Sequence, residues 1–226
     1  MKLAIFDFDG TMFDKQSIPY LLSCYKKMKY SKSRYYKFLI KVGCIALKYK
    51  SPLSKGYTRD IFRKDAALYF VKMFNGKHPD ELKNFFKECT PLILEDLNPV
   101  VLNELKKAQR DGYKTVLLSG CLIYLLQGVG EELKMDYVIG TDINYINVQD
   151  KLKISNDITV ITGAKKVEKL KLVLSGKVID WENSRAYADS LSDLCILQLV
   201  GNPFAINPDK ELKLFANENN WIIIKT

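Results

Sequence analysis

The feature that most constrains the fold is a short apolar run near the N-terminus that ends directly in acidic residues. The run is Leu3-Ala4-Ile5-Phe6, and Asp7-Phe8-Asp9-Gly10-Thr11 follows it. Consecutive apolar residues without alternation are typical of a central parallel strand that is covered on both faces. Open parallel sheets bind ligands beyond the carboxyl ends of their strands. The sequence therefore predicts an α/β fold with a ligand site after its first strand.

Strand-like and helix-like segments alternate over most of the remaining chain. Further short apolar runs lie at residues 115–118, 136–139, 185–188 and 204–206, and helical patterns lie at 99–110, 164–174, 190–199 and 208–217. This alternation predicts a doubly wound parallel sheet with right-handed crossovers. Residues 144–161 alternate loosely, which predicts a β-hairpin on the edge of the core.

About a hundred residues separate the first two predicted strands, far more than one crossover requires. Helical patterns at residues 18–29, 33–50, 54–75 and 79–89 fill this interval. We therefore predict an α/β catalytic core at residues 1–14 and 91–226, with an inserted all-helical cap at residues 15–90.

The charge of the chain is concentrated in the predicted cap. The formal net charge is +9, yet residues 15–90 hold 18 Lys and Arg against 5 Asp and Glu, whereas the remainder holds 17 against 21. This bias predicts a positive potential that suits an anionic substrate or surface. Lysines there interleave with Tyr25, Tyr30, Tyr35, Tyr36 and Tyr49, which leaves nucleic-acid binding open. We favour aromatic packing inside amphipathic helices, and expect no nucleic-acid partner.

The sequence offers no pattern typical of a membrane span, a secretory signal or a disulfide framework, and we predict the location and the cysteine chemistry of the protein from this. The longest apolar stretch, Phe38 to Leu47, is ten residues long and contains Lys41, so it is too short to span a bilayer. Peripheral contact with an anionic surface stays open. The N-terminal run leads straight into Asp7 without a cleavage site, so we expect a cytoplasmic protein. Five widely spaced cysteines suggest neither a disulfide framework nor a zinc site. The oligomeric state is not indicated.

The polar residues that end the predicted strands are expected to converge on one crevice. They comprise Asp7 and Asp9, the pair Ser119-Gly120, the aspartates Asp189 and Asp193, and Lys165-Lys166 at the start of a helix. Four neighbouring aspartates repel one another, so a stable arrangement needs a divalent cation, and all-oxygen ligation favours Mg²⁺. A lysine and a hydroxyl beside that cation suit a phosphate.

The chemistry of these residue types suggests a role for each. Asp7 would act as metal ligand and as nucleophile, forming an acyl phosphate. Asp9 would protonate the leaving oxygen and later activate water. Gly10 permits a close backbone approach. Ser119 and Lys166 would hold the phosphoryl oxygens and offset their charge.

These motifs, in this order, resemble the haloacid dehalogenase superfamily of phosphatases, and within it the phosphoserine-phosphatase-like branch. The resemblance covers nearly the whole chain and rests on residues 7–11, Ser119, the segment 163–167, the segment 187–194 and the tail at 201–209. It implies a phosphorylated small-molecule substrate. It also implies a helical cap between the first two motifs.

The resemblance further implies a role for each matching residue. Mg²⁺ would be held by Asp7, Asp189 and the backbone carbonyl of Asp9, with Asp193 supporting it through water. Lys166 would contact phosphate and nucleophile, and is preferred over Lys165 because it directly precedes Val-x-x-Leu. Thr11, Ser119 and Gly120 are assigned to the phosphate, and Gln16 and Arg63 to the rest of the substrate.

Several alternatives remain open at this stage. A calcium loop is disfavoured because Phe13-Asp14-Lys15 does not continue its ligand pattern. Dehalogenases of the superfamily lack the second carboxylate of the first motif, so the presence of Asp9 favours a phosphoester substrate. The motifs do not distinguish a phosphotransferase from a hydrolase. A basic-cap protein that binds nucleic acid or an anionic surface is a further alternative.

The substrate prediction depends on Gln16. It occupies the place where phosphoserine phosphatases carry a glutamate that pairs with the amino group of serine. A neutral amide cannot neutralise that charge, so we predict that phosphoserine is a poor substrate. The predicted substrate is a small or lipid- or sugar-linked phosphate. The basic cap points to one that bears further negative charge or is carried on an anionic surface, with Arg59 and Arg63 as candidate contacts.

Overall fold

The computed structural model describes residues 1–52, 54 and 56–226. Its strands are β1 Leu3–Phe6, β2 Lys114–Leu122, β3 Tyr137–Thr141, β4 Tyr145–Val148, β5 Lys151–Ile154, β6 Arg185–Ala188, β7 Asn202–Ile206 and β8 Ile222–Ile224. Six of them form one sheet in the order β3-β2-β1-β6-β7-β8, and every pairing in it is parallel. β1 lies near the middle, between β2 and β6. The carboxyl ends of these three strands therefore lie side by side.

Helices cover both faces of this sheet. They are α1 Ser17–Lys27, α2 Lys32–Lys50, α3 Arg59–Val71, α4 Pro79–Leu94, α5 Pro99–Arg110, α6 Ile123–Glu132, α7 Ala164–Val173, α8 Leu194–Leu197 and α9 Lys210–Glu218. Ile5 packs in one buried cluster with Leu170 of α7, and Phe6 packs in another with Val101 of α5. Alternate β1 side chains thus enter opposite hydrophobic layers, which is why the run has no polar position. The predicted doubly wound α/β fold is confirmed.

Several elements differ from the prediction. β2 continues through Ser119-Gly120 to Leu122, with an irregular register against β3 after Leu118. The predicted helix at 190–199 is a 3₁₀ turn, Leu191–Asp193, followed by the four residues of α8. The edge strand β8 was not predicted, because three apolar residues are too few to separate a strand from a loop on local pattern alone.

The helices α1 to α4 lie between β1 and β2, and we refer to residues 17–94 as the helical insert. The predicted helix at 54–75 begins at Arg59, because Thr58 Oγ1 accepts a hydrogen bond from Ile61 N at 3.3 Å and caps the helix there. Leu53 and Lys55, which the predicted cap includes, lie outside the described residues. α4 continues to Leu94, so the predicted boundary at residues 90 and 91 falls within a helix.

An aromatic cluster forms the centre of the helical insert. The Phe74 ring lies 5.1 Å from that of Phe85 and 5.7 Å from that of Tyr25, which is almost fully buried. Tyr30 and Tyr35 are partly buried against the same core. Tyr25, Tyr30 and Tyr35 thus pack in the core of the insert, whereas Tyr36 and Tyr49 are exposed, although their rings contact those of Tyr35 and Phe62. None of the described helices has both the length and the apolar content needed to cross a membrane.

β4 and β5 form the predicted antiparallel hairpin, which is a two-stranded sheet separate from the main one. Its backbone pairs instead with the segment after α3. Gly76 N donates to Leu152 O, and Leu152 N donates to Lys77 O, both at 2.7 Å. Ile154 N donates to Asn75 Oδ1 at 2.9 Å. The hairpin thus ties the helical insert to the core.

Candidate active site

The centre of the site is a buried lysine between two aspartates. Asp7 is the first residue after β1, and Lys166 lies in the first turn of α7. Lys166 Nζ is 2.7 Å from Asp7 Oδ1 and also donates to Asp193 Oδ1. Lys165 is exposed, so the structure brings Lys166 and not its neighbour to Asp7. Burial would lower the pKa of Lys166, but the two carboxylates outweigh this and raise it.

Three carboxylates meet at this point. One oxygen each from Asp7, Asp189 and Asp193 lies within 4.8 Å of the others. Burial raises the pKa of Asp189 to about 7, and the nearby Asp7 and Asp193 add to this shift. Burial also raises the pKa of Asp7, against the pull of Lys166. Crowded carboxylates that resist ionisation, with oxygen as the donor, fit a Mg²⁺ ion.

Gly10 allows the acidic cluster to close. Its φ is +84°, in the left-handed region, and a Cβ built there would lie only 2.2 Å from Asp189 Oδ2. Any side chain at this position would displace that carboxylate. The glycine is therefore required by both backbone conformation and close approach.

The side chain of Asp9 does not belong to the three-carboxylate cluster. Its oxygens accept two hydrogen bonds from Ser17, the first residue of α1. Burial raises the pKa of Asp9 to about 7, although the Ser17 bonds and the nearby Arg63 oppose the shift and Asp7 adds to it. Ser17 was not among the predicted site residues. The sequence shows a serine directly before a predicted helix. This pattern indicates a helix N-cap, but it does not indicate a contact with Asp9.

The predicted phosphate-binding residues divide into two groups. Ser119 and Gly120 line the cavity above the acidic cluster, and Ser119 Oγ accepts from Cys121 N at 3.3 Å. Thr11 is fully buried and is not among the residues that line this cavity. Its Oγ1 has no hydrogen-bond partner in the described part of the chain. Thr11 therefore does not face the cavity in which a phosphate would bind.

A cavity of about 640 Å³ extends from the acidic cluster to the helical insert. The predicted substrate residues Gln16, Arg59 and Arg63 all line it. The rest of the insert wall is largely apolar, with Ile18, Leu22, Phe38, Leu39, Val42 and Phe62 among its residues. This apolar wall was not predicted from the sequence. Helical periodicity marks such residues as buried, but it does not distinguish a protein core from the wall of a ligand cavity.

Residues 4–198 match the family model described as haloacid dehalogenase-like hydrolase. The chain belongs to this family. Membership confirms the predicted superfamily and shows that the chain is of a hydrolase family. The chain is 25% identical to a histidinol-phosphatase of Neisseria meningitidis serogroup C, over 98% of this chain and 97% of that protein.

Two solved structures show the same fold. One is a protein of unknown function from Bordetella pertussis Tohama I, with a TM-score of 0.76 and 18% identity over 99% of this chain and 97% of that one. The other is a phospho-aspartyl intermediate analogue of phosphoserine phosphatase, with a TM-score of 0.63 and 18% identity over 99% of this chain and 92% of that one. The fold of this haloacid dehalogenase-like hydrolase is therefore shared by phosphoserine-phosphatase-like structures.

Proposed function

We propose that this protein is a magnesium-dependent phosphomonoester hydrolase that acts through a phosphorylated Asp7. The observation that carries the proposal is the buried contact of Lys166 with Asp7 and Asp193 beside a third carboxylate, Asp189. A buried nucleophile with an adjacent fixed cation suits a reaction that transfers an anionic phosphoryl group. Mg²⁺ held by Asp7, Asp189 and Asp193 would neutralise the charge of the transferred phosphoryl group.

The first half-reaction is the attack of a carboxylate oxygen of Asp7 on phosphorus. The bond between phosphorus and the ester oxygen breaks, and the departing oxygen takes a proton from Asp9. The result is an acyl phosphate on Asp7 and a free alcohol. Lys166 and Ser119 line the place where the phosphoryl oxygens would lie, and Lys166 supplies positive charge there.

The second half-reaction is the hydrolysis of that acyl phosphate. Water attacks phosphorus, and the carboxylate of Asp9 takes the proton from the water, so that inorganic phosphate leaves and Asp7 is restored. A group with a pKa near 7 can hold and accept a proton in turn at neutral pH, and the pKa of Asp9 is raised to about 7. A phosphotransferase would use the hydroxyl group of a second compound in place of water.

The named relatives support phosphatase chemistry. They include the histidinol-phosphatase described above and the phosphoserine phosphatase of known structure. The substrate of this chain is argued from its own cavity. A cytoplasmic location stays a prediction.

The test is phosphate release from a panel of phosphomonoesters, including phosphoserine, histidinol phosphate and glycerol phosphate, with Mg²⁺ and with excess chelator. We expect Asp7→Asn and Lys166→Ala each to lower release at least about a thousandfold while the fold persists. Lys165→Ala is the matched control, because this exposed neighbour should leave release unchanged. Near-normal turnover by Asp7→Asn, or full activity in chelator, would contradict the proposal.

A further inference from the structure

The cavity above the acidic cluster is larger and more apolar than a small phosphate ester requires. Its volume of about 640 Å³ falls within the range of about 300–1,000 Å³ that suits drug-sized ligands. Phe38 is buried, and Leu22, Val42 and Phe62 are partly buried, where they line the cavity. An apolar wall adds no binding free energy for the polar groups of a sugar or an amino acid. It does stabilise a bound hydrocarbon group, because it removes that group from water.

The apolar wall reaches the surface at α2. Leu39 and Tyr49 line the cavity, yet they are 40% and 43% exposed. Arg59 of α3 lines the same cavity and is also exposed. An occupant of the cavity would therefore leave it past two apolar side chains and a cation.

The outward face of α2 continues this apolar surface. Tyr36, Ile40 and Leu47 are 60%, 67% and 74% exposed, and none of them lines the cavity. Their spacing of four and seven residues places them in one stripe along the helix. A helix on the surface of a globular protein normally presents polar residues there, so a contiguous exposed apolar stripe indicates a binding surface.

Cations flank this stripe. α2 contains five lysines and one arginine and no acidic residue. Lys37, Lys41, Lys48 and Lys50 are exposed, and none of the ion pairs found among the described residues involves an α2 lysine. An apolar stripe flanked by lysines is typical of helices that lie in the interface of a membrane, where the cations meet anionic headgroups.

We propose that α2 binds an anionic lipid surface, and that the substrate is the phosphomonoester of a membrane amphiphile whose hydrocarbon chain occupies the cavity beneath α2. The proposal rests on the proposed function, since it names the substrate class of the same site. The phosphate would lie at Asp7, and the chain would run along the apolar wall toward Leu39. The lysines of α2 would hold the enzyme at the surface from which the substrate comes.

The substrate arm of the test compares glycerol 3-phosphate with 1-acyl-glycerol 3-phosphates of six and twelve acyl carbons, all with Mg²⁺. The six-carbon ester is soluble as a monomer, so its turnover reports the cavity without a lipid surface. We expect kcat/KM to rise at least about a hundredfold from glycerol 3-phosphate to the six-carbon ester, because each methylene group that the wall buries strengthens binding about fourfold.

The surface arm measures co-sedimentation with vesicles of phosphatidylcholine alone and with added phosphatidylglycerol. We expect binding only to the anionic vesicles, weakened by added salt. The double variant Ile40→Ser/Leu47→Ser should reduce partitioning at least about tenfold. Leu214→Ser on α9 is the matched control, since it removes another exposed leucine, 56% exposed, and should leave partitioning unchanged.

Four outcomes would overturn the proposal. The first is equal kcat/KM for glycerol 3-phosphate or phosphoserine and the acylated esters, which leaves the proposed function intact. The second is vesicle binding that the double variant does not weaken, which would mean that charge alone, and not the apolar stripe, binds the vesicle. The third is a dimer in sedimentation equilibrium that the double variant dissociates, which would assign α2 to a second copy of the chain. The fourth is tighter binding to RNA than to anionic vesicles at the same salt concentration.

Failure of the proposed function would look different. If no phosphomonoester in the panel released phosphate, the hydrolase itself would be contradicted. The vesicle arm would then still decide whether α2 binds the lipid surface, because it does not depend on turnover.

Discussion

Ser17 donates one hydrogen bond to each oxygen of the Asp9 carboxylate, from its backbone N at 2.9 Å and from its Oγ at 2.8 Å. Asp9 follows the central strand β1, whereas Ser17 begins the first helix of the insert. The proposed general acid of the core is therefore oriented by the insert. A shift of α1 would move the proton that the chemistry requires.

We expect Ser17→Ala to lower kcat about tenfold on alkyl phosphates and much less on activated aryl phosphates. One of the two hydrogen bonds is lost, and a misplaced general acid matters most when the departing oxygen is basic.

Asp9→Asn should show the same dependence on the leaving group with a larger loss of kcat, of about 10²–10⁴ on alkyl phosphates. Steady-state kinetics on the two substrate classes measure both effects.

Ser23→Ala is the control for Ser17, because this exposed serine of the same helix donates its hydroxyl to Tyr20 O and makes no hydrogen bond to Asp9 among the described residues. It should leave both substrates unaffected. A loss that is equal on alkyl and aryl phosphates for Ser17→Ala would assign Ser17 a structural role in place of a positioning one.

Gly10→Ala should abolish Mg²⁺-dependent activity. The new Cβ would lie 2.2 Å from Asp189 Oδ2, so the carboxylate must move away from Asp7. Gly176→Ala separates this clash from backbone strain, since Gly176 also has a positive φ of +77° but no atom within 4 Å of an added Cβ. We expect the control to lose about 1 kcal/mol of stability with activity unchanged. Equal activity losses in the two variants would contradict this account.

Mg²⁺ should raise the melting temperature of the protein. Binding only to the folded state at a hundred times Kd stabilises by about 2.7 kcal/mol, which corresponds to roughly 5–10 °C for a chain of this size. Asp189→Asn should remove most of this shift, because it removes one of the three converging carboxylates. Asp150→Asn, at an exposed turn, should retain it. Differential scanning calorimetry with and without Mg²⁺ measures the shift, and an unchanged shift in Asp189→Asn would exclude that residue from the metal site.

Asp136 should contribute stability that depends on pH. Its carboxylate accepts hydrogen bonds from Thr115 N and Oγ1, at 2.8 and 3.0 Å, and pairs with Lys114 at 2.6 Å. Burial alone would raise the pKa of Asp136, but the bonds from Lys114 and Thr115 outweigh it and lower the pKa. A pKa that is lower in the folded state stabilises the fold above the unfolded value of about 3.9, and this gain is lost as pH falls through the folded pKa.

Asp136→Asn should therefore cost about 1–2 kcal/mol of unfolding free energy at pH 7. The difference from the parent should shrink at pH 2.5. Urea unfolding at the two pH values provides the measurement, with Asp150→Asn as the exposed control. A difference that stays constant with pH would indicate lost packing and not a charged hydrogen bond.

The sequence by itself determined the sheet and the acidic cluster. A four-residue apolar run is a local pattern, and the carboxyl ends of parallel strands must share one edge, so Asp7 and Asp189 were expected to meet. Ser119 was expected at the same edge. The resemblance to the family added the preference for Lys166 over Lys165, and the structure places Lys166 beside Asp7.

Only the tertiary structure decided what surrounds that cluster. The bonds from Ser17 to Asp9 arise where the insert returns to the core, and no periodicity encodes such a contact. The same apolar spacing places Phe38 inward along the cavity and Ile40 outward in solvent, because periodicity defines the faces of a helix but not what each face meets. The same reason explains why Thr11 does not line the cavity, and why the hairpin pairs with the insert. Both depend on how separate elements pack, which is a property of the whole chain.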